Sequence, residues 1–174
     1  TTFAVPTDLA GMTLVPGVYC FASSASNTGS LTLDAGGDAS AVWVFKMAST
    51  LITGSGSTVT LTNSGQACNV FGQVGSSATL GTTTQFVGSI LALTSVTLQT
   101  GATLSGRALA QTGTVTLDSN NVSVCTLAPI VTLANPTITK AFTPTTIAAG
   151  SVSTLTVTLF NANASVATLT AALI

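Results

Sequence analysis

The chain has 174 residues, of which only 4% are charged, and it contains no histidine. Three cations and a net charge of −1 exclude a basic nucleic-acid-binding stripe. No run of 18 apolar residues marks a membrane-spanning helix. The four carboxylates, Asp8, Asp34, Asp38 and Asp118, stand in turn-like contexts, and glutamate is absent. General acid–base work needs tunable groups held in a cleft, so no catalytic residue, metal site or cofactor is expected. A surface this poor in charge tends to associate. The chain begins at Thr1 and reads as a mature, secreted form.

Thr1–Ala10 has no periodicity and reads as an extended lead-in. Met12–Ala22 is a strand, a Pro-Gly turn and a second strand. Leu31–Asp34 is a strand, and Asp34–Asp38 a tight turn. Ala41–Met47 is strongly strand-like. Thr50–Thr62 alternates around Val59 and Leu61, which should point inward while Thr58 and Thr60 face out. Ala67–Val74, Thr84–Leu93, Val96–Thr100 and Val115–Leu117 continue in the same manner. No segment combines helical caps with a 3.6-residue period, so almost no helix is expected.

The stretch from Gly88 to Asn121 holds a repeat. Gly88–Leu98 realigns on Gly106–Leu117, with an offset of 18 residues from Leu91 to Leu109 and 19 from Val96 to Val115. A short period of β-branched strands separated by Gly and Ser is the signature of a β-solenoid. Each turn closes its core only by stacking on the next, about 4.8 Å away. Ser57–Leu61 echoes Ser95–Leu98 at about two periods, and Ser30–Leu33 echoes it less closely. Val42–Phe45 and Val70–Val74 lie 28 residues apart, so the turns are irregular.

The composition changes after Cys125. Thr126–Pro136 reads as a linker, followed by strands at Thr137–Phe142, Ser153–Phe160 and Ser165–Leu173. Leu155, Val157 and Leu159 share one face, the pattern of an antiparallel sandwich strand. An immunoglobulin-like sandwich needs about seven strands, more than this segment supplies.

Together, Leu14–Phe21, Ala41–Phe45, Gln66–Phe71, Gln73–Gly81 and Gly101–Ala110 resemble the ice-binding-like β-solenoid family of microbial secreted proteins over roughly Asp8–Val124. The resemblance implies a right-handed, discontinuous solenoid of triangular section with a long helix lying along it. It also implies, for many members, ice binding through a flat Thr-rich face. The family's early turns and helix normally precede the Asp8–Gly17 region and are absent here, and Gly72 stands where an aromatic residue is frequent. Ala128–Leu173 more weakly resembles the opening strands of a sandwich repeat of bacterial surface proteins.

The chain therefore reads as all-β: an irregular solenoid half over 1–127 and a partial immunoglobulin-like sandwich or strand-donating segment over 128–174. An odd cysteine count leaves one thiol over. Cys68 and Cys125 both flank the late turns and the family's usual partner for Cys20 is missing, which implies a Cys68–Cys125 bridge. Asn121 and Asn163 fit the glycosylation pattern. Asp34 and Asp38 read as turn residues bonding their own backbone rather than as a Ca²⁺ pair. Arg107 shares parity with Leu109 and is expected to lean inward toward Asp118, and the Lys46 stem to lie on apolar surface.

Two functions remain. The leading expectation is a non-enzymatic, secreted structural protein whose identical subunits assemble into an extracellular filament or surface layer by strand complementation, with Val166, Thr168, Leu169, Thr170 and Leu173 in the donor strand. The alternative is ice binding or ice adhesion. Thr58, Thr60, Thr97, Thr114 and Thr116 would then form a grid of hydroxyls and methyls, about 6.7 Å apart along each strand and about 4.8 Å between turns.

Overall fold

The computed structural model describes residues 1–125 and 135–161. The chain divides into two compact units, Thr1–Ala128 and Pro129–Ile174. The first is a coil of six turns with three strands in each. Turn one holds β1 (Thr2–Phe3), β2 (Thr7–Asp8) and β3 (Thr13–Leu14). Turn two holds β4 (Gly17–Phe21), β5 (Ala25–Asn27) and β6 (Ser30–Asp34). Turn three holds β7 (Trp43–Met47), β8 (Leu51–Thr53) and β9 (Thr58–Thr62). Turn four holds β10 (Val70–Val74), β11 (Ala78–Leu80) and β12 (Gln85–Val87). Turn five holds β13 (Ser89–Ala92), β14 (Val96–Leu98) and β15 (Thr103–Ser105). Turn six holds β16 (Ala108–Ala110), β17 (Val115–Leu117) and β18 (Asn121–Ser123). Every third strand pairs in parallel, giving three six-stranded sheets. Sheet A contains β1, β4, β7, β10, β13 and β16; sheet B runs from β2 to β17; sheet C runs from β3 to β18.

The repeat read from the sequence is the strand register itself. Leu91 pairs with Leu109 in sheet A, and Val96 with Val115 in sheet B. The extra residue in the later copy is taken up by Gly113, where a Cβ would fall 2.3 Å from Ser95 Oγ. The spacing upstream is corrected by one residue, since Val44 pairs with Phe71. Thr50–Thr62 is two strands on different sheets, divided by a corner at 54–57.

Turn length varies most at one corner, from sheet C to sheet A, whereas the two corners bordering sheet B vary by one or two residues. The link from sheet A to sheet B spans three residues in five turns and four in the last. The link from sheet C to sheet A runs from one residue, Gly88, to eight, 35–42. A 3₁₀ turn at Ala67–Asn69 is the sole helical element among the described residues.

Inward side chains stack in columns along the coil. Trp43, Leu33, Leu80, Ile90, Leu98 and Leu104 are fully buried. The Trp43 indole N–H donates to Leu14 O at 3.1 Å, and the Tyr19 hydroxyl donates to Val15 O at 2.6 Å. Tyr19, Phe45, Gly72 and Ile90 form one column, in which Tyr19 stacks on Phe45. Gly72 offers that column no side chain, and a cavity of about 30 Å³ lies beside it among Phe45, Met47, Val70, Phe86 and Asn27. A disulfide joins Cys68 to Cys125, and Cys20 is free and half-buried.

The described part of the second unit is one antiparallel pair, β19 (Thr137–Thr143) and β20 (Thr154–Phe160). Ile138, Lys140 and Phe142 oppose Leu159, Val157 and Leu155 on one face, and threonines dominate the other. This is fewer strands than a sandwich. The expected donor residues Val166, Thr168, Leu169, Thr170 and Leu173, and Asn163, lie outside the described residues.

Candidate functional site

With no cleft chemistry expected, the three outer faces of the coil are the places to look for a site. On sheet A the outward positions are large and apolar. Val18, Phe71, Leu91, Leu93 and Leu109 are exposed there, beside Lys46 and Arg107. Arg107 does not lean inward: Ile90 N–H takes its carbonyl, its side chain is exposed, and Asp118 is instead engaged by the hydroxyls of Thr100 and Ser119. Arg107 does share parity with Leu109, but that parity faces outward: Leu109 is exposed, while Ala108 and Ala110 pair with the buried Ile90 and Ala92.

Sheet B differs in kind. The tetrapeptides Ser24–Asn27, Thr50–Thr53, Ser77–Leu80, Ser95–Leu98 and Thr114–Leu117 each begin with a hydroxyl residue and stack in register. Within each, the second and fourth residues point inward; Ala25, Leu51, Ala78 and Val96 are buried. The first and third point outward and form two columns. One column is Ser24, Thr50, Ser77, Ser95 and Thr114. The other is Ser26, Ile52, Thr79, Thr97 and Thr116, with Asp8 at its head. Backbone bonds extend the ladder past the strand ends: Ala25, Leu51, Ala78 and Val96 donate to the carbonyls of Thr50, Ser77, Ser95 and Thr114 at 2.9–3.2 Å. Ser24 and Thr50 hydroxyls meet at 2.8 Å, and the Thr114 amide donates to Ser95 Oγ at 3.3 Å.

Sheet C also carries hydroxyls outward, including Thr13, Thr32 and Thr60, with Thr58 donating to Ser30 Oγ at 3.1 Å. Its ladder is interrupted. β9 and β12 share a single pair, Thr58 with Gln85, and the Gln85 side chain stands exposed in the column below Thr58. The sequence-predicted grid is thus divided: Thr97, Thr114 and Thr116 lie on sheet B, whereas Thr58 and Thr60 lie on sheet C. A Val-Thr-Leu strand looks alike on any face, because each strand alternates inward and outward regardless of its sheet. Ser24, Ser26, Thr50, Ile52, Ser77 and Thr79 were missed, although the recurrence of a hydroxyl residue two places before each outward central residue marks them.

Charge is sparse on sheet B. Asp8 accepts hydrogen bonds from the Thr28 hydroxyl and from the amides of Thr28 and Ala10. The Thr28 hydroxyl is the main cause that holds its carboxyl below the ordinary aspartate range, burial working in the opposite sense. Asp34 is lowered by the Gly36 amide and then by Asn63, and Asp38 by the Ser40 hydroxyl and amide. Each is satisfied within its own turn or the next. No group of three or more potential metal ligands occurs among the described residues.

The family model described as Ice-binding-like matches residues 1–123. The chain belongs to the ice-binding-like family. Residues 136–174 match a domain of unknown function, DUF7933. The chain is 62% identical over 117 residues to an ice-binding protein of Nostoc sp. (strain HG1), covering 67% of this chain and 43% of that relative. It is 37% identical over 116 residues to an ice-binding protein of Flavobacterium frigoris (strain PS1), covering 67% and 41%. Among solved structures, an ice-binding protein from the Antarctic ascomycete Antarctomyces psychrotrophicus superposes with a TM-score of 0.69 at 49% identity, over 71% of this chain and 60% of that one. The corresponding domain of Shewanella frigidimarina ice-binding protein 1 gives a TM-score of 0.69 at 37% identity, over 72% and 54%. The chain spans less than half the length of these curated relatives. The expectation of a filament of identical subunits is corrected by these findings: the relatives are described as ice-binding proteins.

Proposed function

We propose that this chain binds ice through the outer face of sheet B. The observation that carries this reading is the two-column grid from Ser24/Ser26 to Thr114/Thr116, in register over five turns. Strand geometry sets its outward positions about 6.7 Å apart along each strand and about 4.8 Å between turns. Hydroxyls supply donors and acceptors to first-layer water, while threonine methyls and Ile52 leave that water no competing charge to solvate. A rigid backbone ladder keeps the grid flat, so many weak contacts act together. Sheet C lacks this continuity at the β9–β12 seam, and sheet A carries Lys46 and Arg107. The Cys68–Cys125 disulfide fits an oxidising, extracellular compartment. The β19–β20 ribbon, with one apolar and one Thr-rich face, fits the opening of a sandwich module.

The test is a pair of substitutions read by ice shaping and thermal hysteresis. Thr79→Tyr places a bulky ring at the centre of the sheet B grid and abolishes both. Thr60→Tyr, on sheet C, leaves both intact. The reverse outcome overturns the choice of face. An unmodified chain that leaves ice growth unchanged at high concentration overturns the function.

A further inference from the structure

Neighbouring turns of sheet B are joined past the end of each strand by a corner amide, and these joints are not alike. Between turns two and three, the Gly54 amide donates to the backbone carbonyl of Asn27 at 2.9 Å. Between turns four and five, the Gln99 amide donates to Leu80 O at 2.9 Å. Between turns three and four, the equivalent amide, Gly81, donates instead to the side chain of Thr53, at 2.8 Å to Oγ1. The paired stretch there is correspondingly short, with Leu51 and Ile52 opposite Ala78 and Thr79 and no third pair. At the coil's two ends the equivalent amides, Thr28 and Asp118, also turn to side chains, those of Asp8 and Asn120, but these lie at the margins of the grid.

The Thr53 hydroxyl is itself held. It meets Thr84 Oγ1 at 2.9 Å, Ser57 Oγ meets Thr84 Oγ1 at 3.1 Å, and Thr84 Oγ1 lies 3.0 Å from Gly54 O. Thr53, Ser57 and Thr84 are each at most 3% exposed. The backbones approach so closely that a Cβ on Gly81 would lie 2.6 Å from Thr53 O. A buried hydroxyl cluster thus makes the rung that the backbone makes at the joints on either side. It does so beneath Ile52 and Thr79, the middle of the outer column.

We propose that Thr53, locked by Thr84 and Ser57, is a positioning residue for ice binding: its hydroxyl sets the spacing of the central seam of sheet B. This rests on sheet B being the ice-binding face. Ser24, Ser26, Thr50 and Ile52 lie on one side of the seam, and Ser77, Thr79 and every later turn lie on the other. A grid meets ice as a whole only if its two halves keep one pitch. Without the hydroxyl, Gly81 N–H is buried with no acceptor, and the seam relaxes until water or a carbonyl reaches it. Each half then binds alone, and the gain from simultaneous engagement is lost.

Thr53→Val removes the hydroxyl and keeps the shape, and Thr53→Ser keeps the hydroxyl. Both are compared near 0 °C, where circular dichroism reports the folded coil. The concentration of Thr53→Val needed to shape ice rises by roughly ten-fold or more, as expected when two linked half-sites are uncoupled, and Thr53→Ser restores the wild-type threshold. A merely structural role lowers the melting temperature of Thr53→Val but leaves the threshold of the folded protein unchanged, and that result overturns the proposal. Equal loss in Thr53→Ser overturns it as well, because the hydroxyl is then irrelevant. Should Thr53→Val fail to fold, amide exchange of the unmodified chain decides: Gly81 protected like Gly54 and Gln99 supports the rung, and exchange at the rate of a solvated amide overturns it. Thr79→Tyr separates the two readings. If it leaves ice shaping intact, the choice of face has failed. If it abolishes shaping while folded Thr53→Val shapes ice normally, only the positioning role has failed.

Discussion

Removing the Cys68–Cys125 bridge should loosen the coil from one end. The two cysteines are 57 residues apart, and the loop they close contains turns four to six. In the chain-entropy description, a loop of that length lowers the entropy of the unfolded chain by an amount equivalent to about 4 kcal/mol at 25 °C. A unit of about 125 residues unfolds with an entropy near 0.26 kcal/mol/K, so this loss corresponds to a fall in Tm of about 15 °C. The change should also be local. Among the described residues no further turn stacks on turn six, and its inward residues Val115, Leu117 and Val122 are exposed. The bridge ties the tail just after β18 back to the 3₁₀ turn at Ala67–Asn69, three turns earlier. Calorimetry of Cys68→Ala/Cys125→Ala should show the Tm shift, and hydrogen exchange should show β16–β18 opening first. A shift of less than about 3 °C, well below what the loop length requires, or fraying that begins at β1–β3, would refute the reasoning.

Two glycine substitutions, Gly72 within sheet A and Gly106 at the corner leading into it, should act in opposite directions. A Cβ on Gly106 would lie 2.0 Å from Gly88 O, so Gly106→Ala must push backbone apart and should destabilise by more than about 2 kcal/mol in a urea titration. A Cβ on Gly72 meets nothing closer than Met47 Cε at 3.8 Å and borders the internal cavity, so Gly72→Ala should stabilise by about 0.5–1 kcal/mol. Asp8, Asp34 and Asp38 all have carboxyl pKa values lowered in the folded chain, so they bind fewer protons there than in the unfolded chain. Their contribution is present above the ordinary value of 3.8 and lost as pH falls through the lowered values, so Tm should be flat from neutral pH down to about 5 and decline below about 4. A Tm that rises on acidification in that window would contradict the hydrogen bonds assigned to them.

Where turns are short and equal, the sequence is transparent. The Gly88–Asn121 repeat reports the pairing of Leu91 with Leu109 and Val96 with Val115 directly, because no loop intervenes to shift the count. Upstream, the eight-residue link at 35–42 and the seven-residue link at 63–69 break the period, and Trp43 pairs with Val70, one residue short of the 28-residue spacing. The functional face was half legible. Thr58-Val-Thr60 and Thr114-Val-Thr116 carry the same local pattern, and only the number of corners between them assigns one to sheet C and the other to sheet B. Gly54 opens such a corner, and the Gly-Ser-Gly-Ser run at 54–57 is a turn signal, but nothing in it says how far the chain rotates before Thr58. The Thr53–Ser57–Thr84 cluster was out of reach for another reason: three scattered small hydroxyl residues become a cluster only when two turns stack.

The concentration of length variation at the corner between sheets C and A has a consequence for how such a chain tolerates change. The corners bordering sheet B hold two to four residues in every turn. One residue added there is tolerated only where the corner absorbs it and the next strand keeps its pairing, as the link 111–114 does with Val115 still opposite Val96. The third corner already accommodates links of one to eight residues while the ladder of sheet B runs on beside it. It is therefore the edge at which the coil can gain or shed sequence, or carry a grafted epitope or dye between Gly36 and Gly37, while the working surface keeps its geometry. One edge is free to diverge, and the other two are held to between two and four residues.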